Sequence, residues 1–533
     1  MANEQKDTVT ITLNGVRAVV PKNLRIIEAA EQLGIGIAHY CYHPALSAPA
    51  MCRMCLVEVE KAPKLAPACV TNVAEGMVIH TESPRAREAR QGTLEFYLMN
   101  HPLDCPICDK SGECKLQDYT YAEGRKRGRG IEAKRVLGQD DFGGDILYDG
   151  DRCIMCTRCV RFMREVAQDD RLCVVQRGHR SVIDTFFEDG VEGSIWAGNI
   201  VDICPVGALL SKDFLHKARV WDLDSSPSIC PSCSQGCNIK VDTRDNLVMR
   251  LRPRANPDVN SYWMCDYGRH NYEWLNRTAR VEAPLYRGDD GQLIATTWQK
   301  AIVALVERLR VVNADSLTIV GSAFHSNEDN GLLARLGAQL GGGELVFRAP
   351  RASDEVTCPG FPRLARRRDL AANVRGLETC GFQRIDGEFP RDARVVITLG
   401  DELASEPPGF GTRADLFVAI ATGSAGAMRD ADFVLPATTF AEMEGTFTNH
   451  EGRVQRFWPA LQPPPLARPA WQILGVLLAG LEPGSTAPAT AADAFLRLGD
   501  WFAGYAGLSY DVIGSRGALV NDAVRFAAAE SSA

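Results

Sequence analysis

Fifteen of the eighteen cysteines stand in four groups within the first 265 residues, and a histidine stands beside one of them. Cys41, Cys52, Cys55 and Cys69 are spaced C-x10-C-x2-C-x13-C. Four thiolates are what a two-iron cluster needs, and a C-x2-C pair on a tight loop lets two sulfurs converge on it. His101, Cys105, Cys108 and Cys114 come next. Three cysteines leave one corner of a four-iron cube unfilled, and imidazole can replace thiolate at iron. His101, four residues ahead of Cys105, is therefore expected as the fourth ligand. Cys153, Cys156 and Cys159 form a C-x2-C-x2-C run, but the position where its usual fourth cysteine would fall is Met163. Cys204-Pro205, after 44 intervening residues, is expected to complete that cube. Cys230, Cys233, Cys237 and Cys265, spaced C-x2-C-x3-C-x27-C, make a third candidate four-iron site.

Each group has a plainer reading. Four-cysteine zinc sites also use C-x2-C pairs, and zinc stays open for the Cys230 group above all. A histidine near a helix end more often caps than ligates. Among the remaining cysteines, Cys173 is read as a small buried hydrophobe. The formal net charge of -8 and pI near 5.7 offer phosphate no attraction, which argues against nucleic acid. The first seven residues lack the apolar core of a secretory signal, and no run approaches the roughly 20 apolar residues that cross a bilayer. A soluble chain in a thiol-reducing cytoplasm is expected, where grouped cysteines are ligands before they are disulfides.

The elements that must position these ligands are partly legible. At 533 residues the chain is several times a domain of roughly 100–150 residues. Alternation over residues 8–20 around Asn14-Gly15 predicts two strands and a hairpin turn, and a short amphipathic helix from Leu24 ends near Gly34. Hairpin plus helix suits a β-grasp domain. Ser83-Pro84 predicts a helix start, and that helix delivers His101 to the second group. The basic run Gly124–Gly130 reads as a solvated loop. Beyond about residue 280, strand-like runs (Leu317–Val320, Val395–Leu399, Leu416–Ala421) alternate with a helical pattern over Leu332–Leu340, which argues for an α/β body. Gly484–Asp493, rich in Ala, Pro, Ser and Thr, reads as a linker before a short helical tail.

In this order, the two-iron motif, the one-His three-Cys motif and the split ferredoxin motif resemble the large iron-sulfur subunit of respiratory complex I, the bacterial NADH-quinone oxidoreductase. The modules are also similar to diaphorase subunits of NAD-linked hydrogenases and to the N-terminal half of NAD-linked formate dehydrogenases. From Cys230 onward the chain resembles the molybdopterin oxidoreductases, through residues 316–345, Ala431–Pro436 and Glu444–Gln455.

The expected architecture is a multidomain α+β and α/β chain: a β-grasp 2Fe-2S ferredoxin domain over 1–83, a one-His three-Cys 4Fe-4S domain over 84–125, and a ferredoxin-like 4Fe-4S domain over 126–220. A molybdopterin-oxidoreductase-type 4Fe-4S domain over 221–278, a reduced molybdopterin-oxidoreductase-like body over 279–483 and a linker and tail over 484–533 would follow.

The resemblance implies an electron wire with one 2Fe-2S and three 4Fe-4S clusters and no catalytic acid or base. The Cys230 cluster would be a side branch. Molybdenum is not expected: the body is short, and neither Cys358 nor Cys380 has the flanking residues of a formate site. Gly409–Ala414 matches a dinucleotide fingerprint only formally, because a strand follows it where a helix is required. NADH and flavin would then belong to a flavin-binding subunit, with a small 2Fe-2S subunit and quinone-proximal subunits as further partners. The complex would be peripheral on the cytoplasmic side of the inner membrane. A compact molybdenum formate dehydrogenase, or a hydrogenase-associated subunit, is the alternative.

Overall fold

The computed structural model describes residues 7–521 except 278, 313–315, 391, 408, 411, 412 and 483. Part of the formal fingerprint at Gly409–Ala414, the first six residues and the tail from 522 therefore lie outside the described residues. The chain forms two compact units. One runs to Leu223 and includes Cys358–Phe361; the other takes in Asp224–Thr357 and resumes at Pro362.

In the first unit, β1 (Thr8–Leu13) and β2 (Val16–Pro21) pair antiparallel with Leu13 opposite Val16. Asn14 and Gly15 take φ of 49° and 84°, as a two-residue hairpin that matches the strand twist requires. Val9, Ile11 and Leu13 alternate into a core that α1 (Ile26–Gln32) closes with Ile26, Ile27, Ala29 and Ala30. With β3 (Leu56–Val59), β4 (Ala66–Pro67) and β5 (Val78–His80), the sheet order is β2-β1-β5-β3-β4, and β1 runs parallel to β5, a β-grasp. The helix α2 (Pro84–Asn100) starts at Ser83, whose side chain accepts from the Ala86 amide, a cap worth about 1 kcal/mol. Next comes α3 (Lys115–Glu123), packed on α2. The basic run after it is largely exposed, with Arg125 and Arg129 paired to Glu95 of α2.

The rest of this unit is short pieces. β6 (Gln139–Asp141) and β7 (Ile146–Asp149) precede α4 (Arg158–Phe162), which continues as a π turn over Met163–Ala167. β8 (Cys173–Val175) pairs with β9 (Val182–Asp184), α5 (Asn199–Ile203) follows, and β10 (Leu209–Ser211) pairs back on β7. Cys173 corrects the expectation of a buried hydrophobe: it is half-buried on a two-stranded ribbon, its Sγ 3.6 Å from the Asp184 carbonyl. A ribbon paired on no larger sheet has too little cover to bury it.

In the second unit, β11 (Asp224–Ile229), β12 (Asn238–Arg244) and β13 (Leu247–Pro253) form an antiparallel sheet, followed by α6 (Asp266–His270). The body is built on β14 (Leu285–Arg287), β15 (Leu293–Ala295), α7 (Trp298–Val311), β16 (Leu317–Val320), α8 (Asn327–Gln339) and β17 (Glu344–Phe347). The small ladder of β18 (Val356–Thr357) and β19 (Ala365–Arg366) stands apart from the main sheet. Then come α9 (Val374–Thr379), β20 (Gln383–Arg384), β21 (Val395–Leu399), β22 (Leu416–Ala421) and β23 (Phe433–Pro436). The sheet order is β15-β14-β23-β22-β21-β16-β17-β20, parallel from β23 through β20. The chain leaves β16 toward β20 and returns to β21 on its other side. That reversal opens a crevice beyond the carboxyl ends of β16 and β21. β21 and β22 are buried throughout, as strands covered on both faces must be.

β24 (Gly445–Thr448), β25 (Arg453–Phe457), α10 (Ala470–Leu481) and α11 (Ala491–Trp501) complete this unit. Here the expected linker and tail read differently. Thr490 caps α11, and Phe495, Leu498, Tyr505, Tyr510 and Ile513 lie in one apolar cluster with α8 and α10. Pro488 rests on Gly475 of α10, where a Cβ would come within 2.4 Å of it. The Ala-Pro-Ser-Thr composition suggests a linker only when this partner, far away in sequence, is out of view. Among the described residues no helix is long and apolar enough to cross a membrane.

Candidate metal centres

The first group sits on loops of the β-grasp. Cys41 follows α1, Cys52 and Cys55 flank a turn in which Arg53 takes φ 57°, and Cys69 follows β4. All four are buried. The thiols meet in two hydrogen-bonded pairs, Cys41 with Cys52 and Cys55 with Cys69. Within each pair the hydrogen bond pushes the donor up (Cys41, Cys55) and pulls the acceptor down (Cys52, Cys69). Backbone amides of Tyr40, Cys41 and Met54 also point at Cys52, the kind of donor that tunes a bound cluster.

In the second group His101 is the C-cap residue of α2. Its Nδ1 is buried and makes no hydrogen bond among the described residues, which suits a nitrogen that bonds iron. Burial, then Arg152, holds its pKa below the usual value, so the ring is neutral, the form that binds metal. Arg152 also faces Cys108, which Cys105 and Cys114 neighbour. No hydrogen bond joins His101 to a cysteine among the described residues. Cys114 occupies the N-cap position of α3, where burial raises its thiol and the nearby Leu116 and Gln117 amides oppose that rise. Cys108 and Cys114 are buried, whereas Cys105 is exposed. A Cβ on Gly207 would stand 2.2 Å from the Cys108 sulfur, so only glycine fits beside this group.

Cys153, Cys156, Cys159 and Cys204 line one small cavity with Tyr148, Arg158 and apolar side chains. Met155 and Thr157 take φ of 51° and 56°, which curls the run around that cavity. Cys159 lies on α4, and Cys204 ends α5. Met163, in place of the usual cysteine, is fully buried in the π turn. Burial pushes Cys153, Cys156 and Cys159 up, Cys156 to about 12. Thiols so placed deprotonate readily only against a cation, which cluster iron supplies.

The fourth group is built on a hairpin. Cys230 follows β11 directly, and its amide donates to the Cys237 carbonyl at 2.8 Å, just before β12. Cys233 lies in the turn, and Cys265 caps α6. All four are buried, and burial raises every one of these thiols. Ser232 donates to Cys230, and the Gln235 and Arg367 amides donate to Cys233. A Cβ on Gly268 would lie 2.9 Å from the Cys230 sulfur and 3.7 Å from that of Cys265. Gly207 and Gly268, three residues after Cys204 and Cys265, escaped the sequence reading; glycine this close behind a ligand is the signal that marks them. Among the described residues no three His, Cys, Asp or Glu side chains close on a point as ligands of a single metal ion would.

Five family models match segments of the chain. They are a 2Fe-2S iron-sulfur cluster binding domain (residues 6–84), the NADH-ubiquinone oxidoreductase-G iron-sulfur binding region (90–129), and the ferredoxin-like domain of NADH-quinone oxidoreductase subunit 3 (143–210). An NDSU1/NuoG-like 4Fe-4S domain (231–273) and molybdopterin oxidoreductase (401–479) follow. A mitochondrial NADH dehydrogenase iron-sulfur protein 1 of Solanum tuberosum is 40% identical over 72% of this chain and 51% of its own length. An NADH-quinone oxidoreductase subunit of Streptomyces coelicolor is 35% identical over 76% of this chain and 48% of its own.

The chain is similar to these subunits over about three quarters of its own length. It spans about half the length of the curated relatives it matches. A solved NAD+-reducing NiFe-hydrogenase chain is 27% identical over 40% of this chain and 91% of its own, with a TM-score of 0.37, a likeness too weak to argue from.

The molybdopterin match overlaps the crevice beyond β16 and β21, a cavity of about 400 Å³ lined by Ser322, His325, Asp401, Glu402, Trp274 and Phe440 among others. That volume suits one small ligand, not a metal with two pterins. No cysteine lines the cavity. Asp401 is taken up by the Thr422 hydroxyl and the Thr422 and Gly423 amides, and the Ser322 hydroxyl donates to Glu402. Cys358 contacts the Val166 carbonyl in the first unit, and Cys380 is buried beside Tyr505 in the second. These residues do not fit a molybdenum-pterin centre.

Proposed function

We propose that the chain is an iron-sulfur electron-transfer subunit of an NADH-quinone oxidoreductase. Cys41, Cys52, Cys55 and Cys69 hold a 2Fe-2S cluster. His101, Cys105, Cys108 and Cys114 hold one 4Fe-4S cluster, Cys153, Cys156, Cys159 and Cys204 a second, and Cys230, Cys233, Cys237 and Cys265 a third. The reading rests most on the third group, where three neighbouring cysteines and one from another helix line a single cavity.

The clusters supply one-electron valence changes when bound. The protein's part is to fix the sulfurs, exclude water with apolar walls around the third group and by burying the fourth, and aim amides at sulfur. The NADH and flavin site, a small 2Fe-2S subunit and quinone reduction belong to partner chains, and the assembly is peripheral on the cytoplasmic face of the membrane. The fourth cluster is a side branch.

Elemental analysis of anaerobically purified chain tests the assignment. Four filled clusters give about 14 irons per chain without molybdenum or zinc. Stoichiometric zinc, or molybdenum at one per chain, would sink it.

A further inference from the structure

Arg158 opens α4 between Cys156 and Cys159 and lines the cavity of the third group. Its guanidinium donates at 3.0 Å to the carbonyl of Ile203, next to Cys204, and also to the carbonyl of Tyr42, next to Cys41. One edge of the cation therefore faces the third group and another faces the first. Its Nε is buried without a hydrogen-bond partner, and among the described residues no carboxylate pairs with it.

Two neighbouring arginines frame it: one is paired with carboxylates, and the other, like Arg158, spends its donors on carbonyls. Arg152, which faces Cys108 of the second group, is neutralised by Asp104 and Asp149. Arg161, one turn beyond Arg158, spends its donors on the carbonyls of Ser47, Cys41 and Cys156, and so clamps the loop of the first group to α4. Arg158 is half-buried with its Nε shielded from water, and a cation held partly out of water without a carboxylate is costly unless another anion compensates it. Burial works against the Arg158 charge, and the groups that favour it are Cys156, Cys204 and Cys41. Those are ligands in the assignment made above, and four thiolates leave a cluster with net negative charge.

We propose that Arg158 is a positioning residue that serves as one countercharge shared by the first and third clusters and holds both reduction potentials up together. This rests on the ligand assignment of the preceding subsection. A cation beside a cluster stabilises the added electron of its reduced form. Because one charge acts on both partners, it raises both without steepening the step between them.

The test is an EPR-monitored redox titration of the full chain, purified anaerobically, with iron counted first. If the native chain lacks iron near the assigned count, the ligand assignment fails before Arg158 is in question. With iron in place, Arg158→Gln keeps hydrogen-bond donors but removes the charge. The expected result is a fall in the midpoints of the first and third clusters by similar amounts, with the second and fourth unmoved. A fall confined to the third cluster, or none in either, overturns the proposal.

Arg158→Lys keeps the charge on a single nitrogen that cannot reach both carbonyls. It should lower at least one of the two midpoints by less than the Gln variant does. If the Gln variant loses iron, the Lys variant decides alone, and a fall in both midpoints with the charge kept and iron intact refutes the shared countercharge.

Discussion

The second and fourth cysteine groups are the least alike in the molecule. The fourth has four buried thiols on a hairpin and a helix cap, and it lies in the unit with the large parallel sheet. The second mixes one histidine with three cysteines, leaves Cys105 in solvent, and lies in the unit that also carries the first and third groups. A buried, uniform site is built to persist. An exposed ligand suits a cluster that hands electrons onward, since a wire must come close to its next carrier.

The largest effect should separate the two by turnover. Cys105→Ser and Cys233→Ser should each cost up to about four irons per chain. In the assembled oxidoreductase, the first should abolish NADH-driven quinone reduction and the second should leave most of it. Equal losses of turnover would put the fourth cluster on the path and break the comparison.

The glycines give a finer cut. An alanine Cβ at Gly207 would overlap the Cys108 sulfur at 2.2 Å, whereas at Gly268 it meets the Cys230 sulfur at 2.9 Å. Gly207→Ala should therefore strip the second cluster, while Gly268→Ala should lower occupancy of the fourth only in part. Iron content and EPR signal intensity read both, and the reverse ranking would show that backbone adjustment rather than contact distance decides.

How much of this was readable in advance follows from how local the cause is. The hairpin at Asn14-Gly15, the cap at Ser83 and the strands Leu317–Val320, Val395–Leu399 and Leu416–Ala421 stand where turn chemistry and apolar runs put them. The cysteine groups were legible because ligand spacing is itself local, apart from Cys204, which needed the missing cysteine at Met163 to be noticed. Exposure of Cys105, the Arg158 contacts with Ile203 and Tyr42, and the packing of α11 into the core depend on residues far apart in sequence. No window of sequence contains those causes.

The second unit has a pH sensitivity of its own. Glu328, on α8, is fully buried, and burial raises its pKa to about 7 against the hydrogen bonds from Thr446 and Tyr510. The folded chain then keeps a proton that the unfolded chain releases near pH 4.5. Stability falls as pH rises from about 4.5 to about 7 and is level above, at a cost on the order of 3 kcal/mol. Burial raises Glu402 of the same unit to about 7 as well, so Glu328→Gln should shrink that slope without abolishing it, and urea unfolding of this unit should occur at higher denaturant than in the native protein at pH 8 and at a similar concentration at pH 4.5. An unchanged slope would mean that the three donors already hold the carboxylate ionised.

The smallest effect concerns one ligand. His101→Cys replaces a neutral imidazole with an anionic thiolate at the second cluster. Added negative charge disfavours the reduced state, so that cluster's potential should fall on the order of 100 mV while iron stays constant. The fourth cluster, already all thiolate, is the internal reference and should not move. If the second potential holds and its EPR spectrum is unchanged, His101 is not a ligand. Its partnerless Nδ1 then needs another explanation, and the contrast between the two groups reduces to exposure alone.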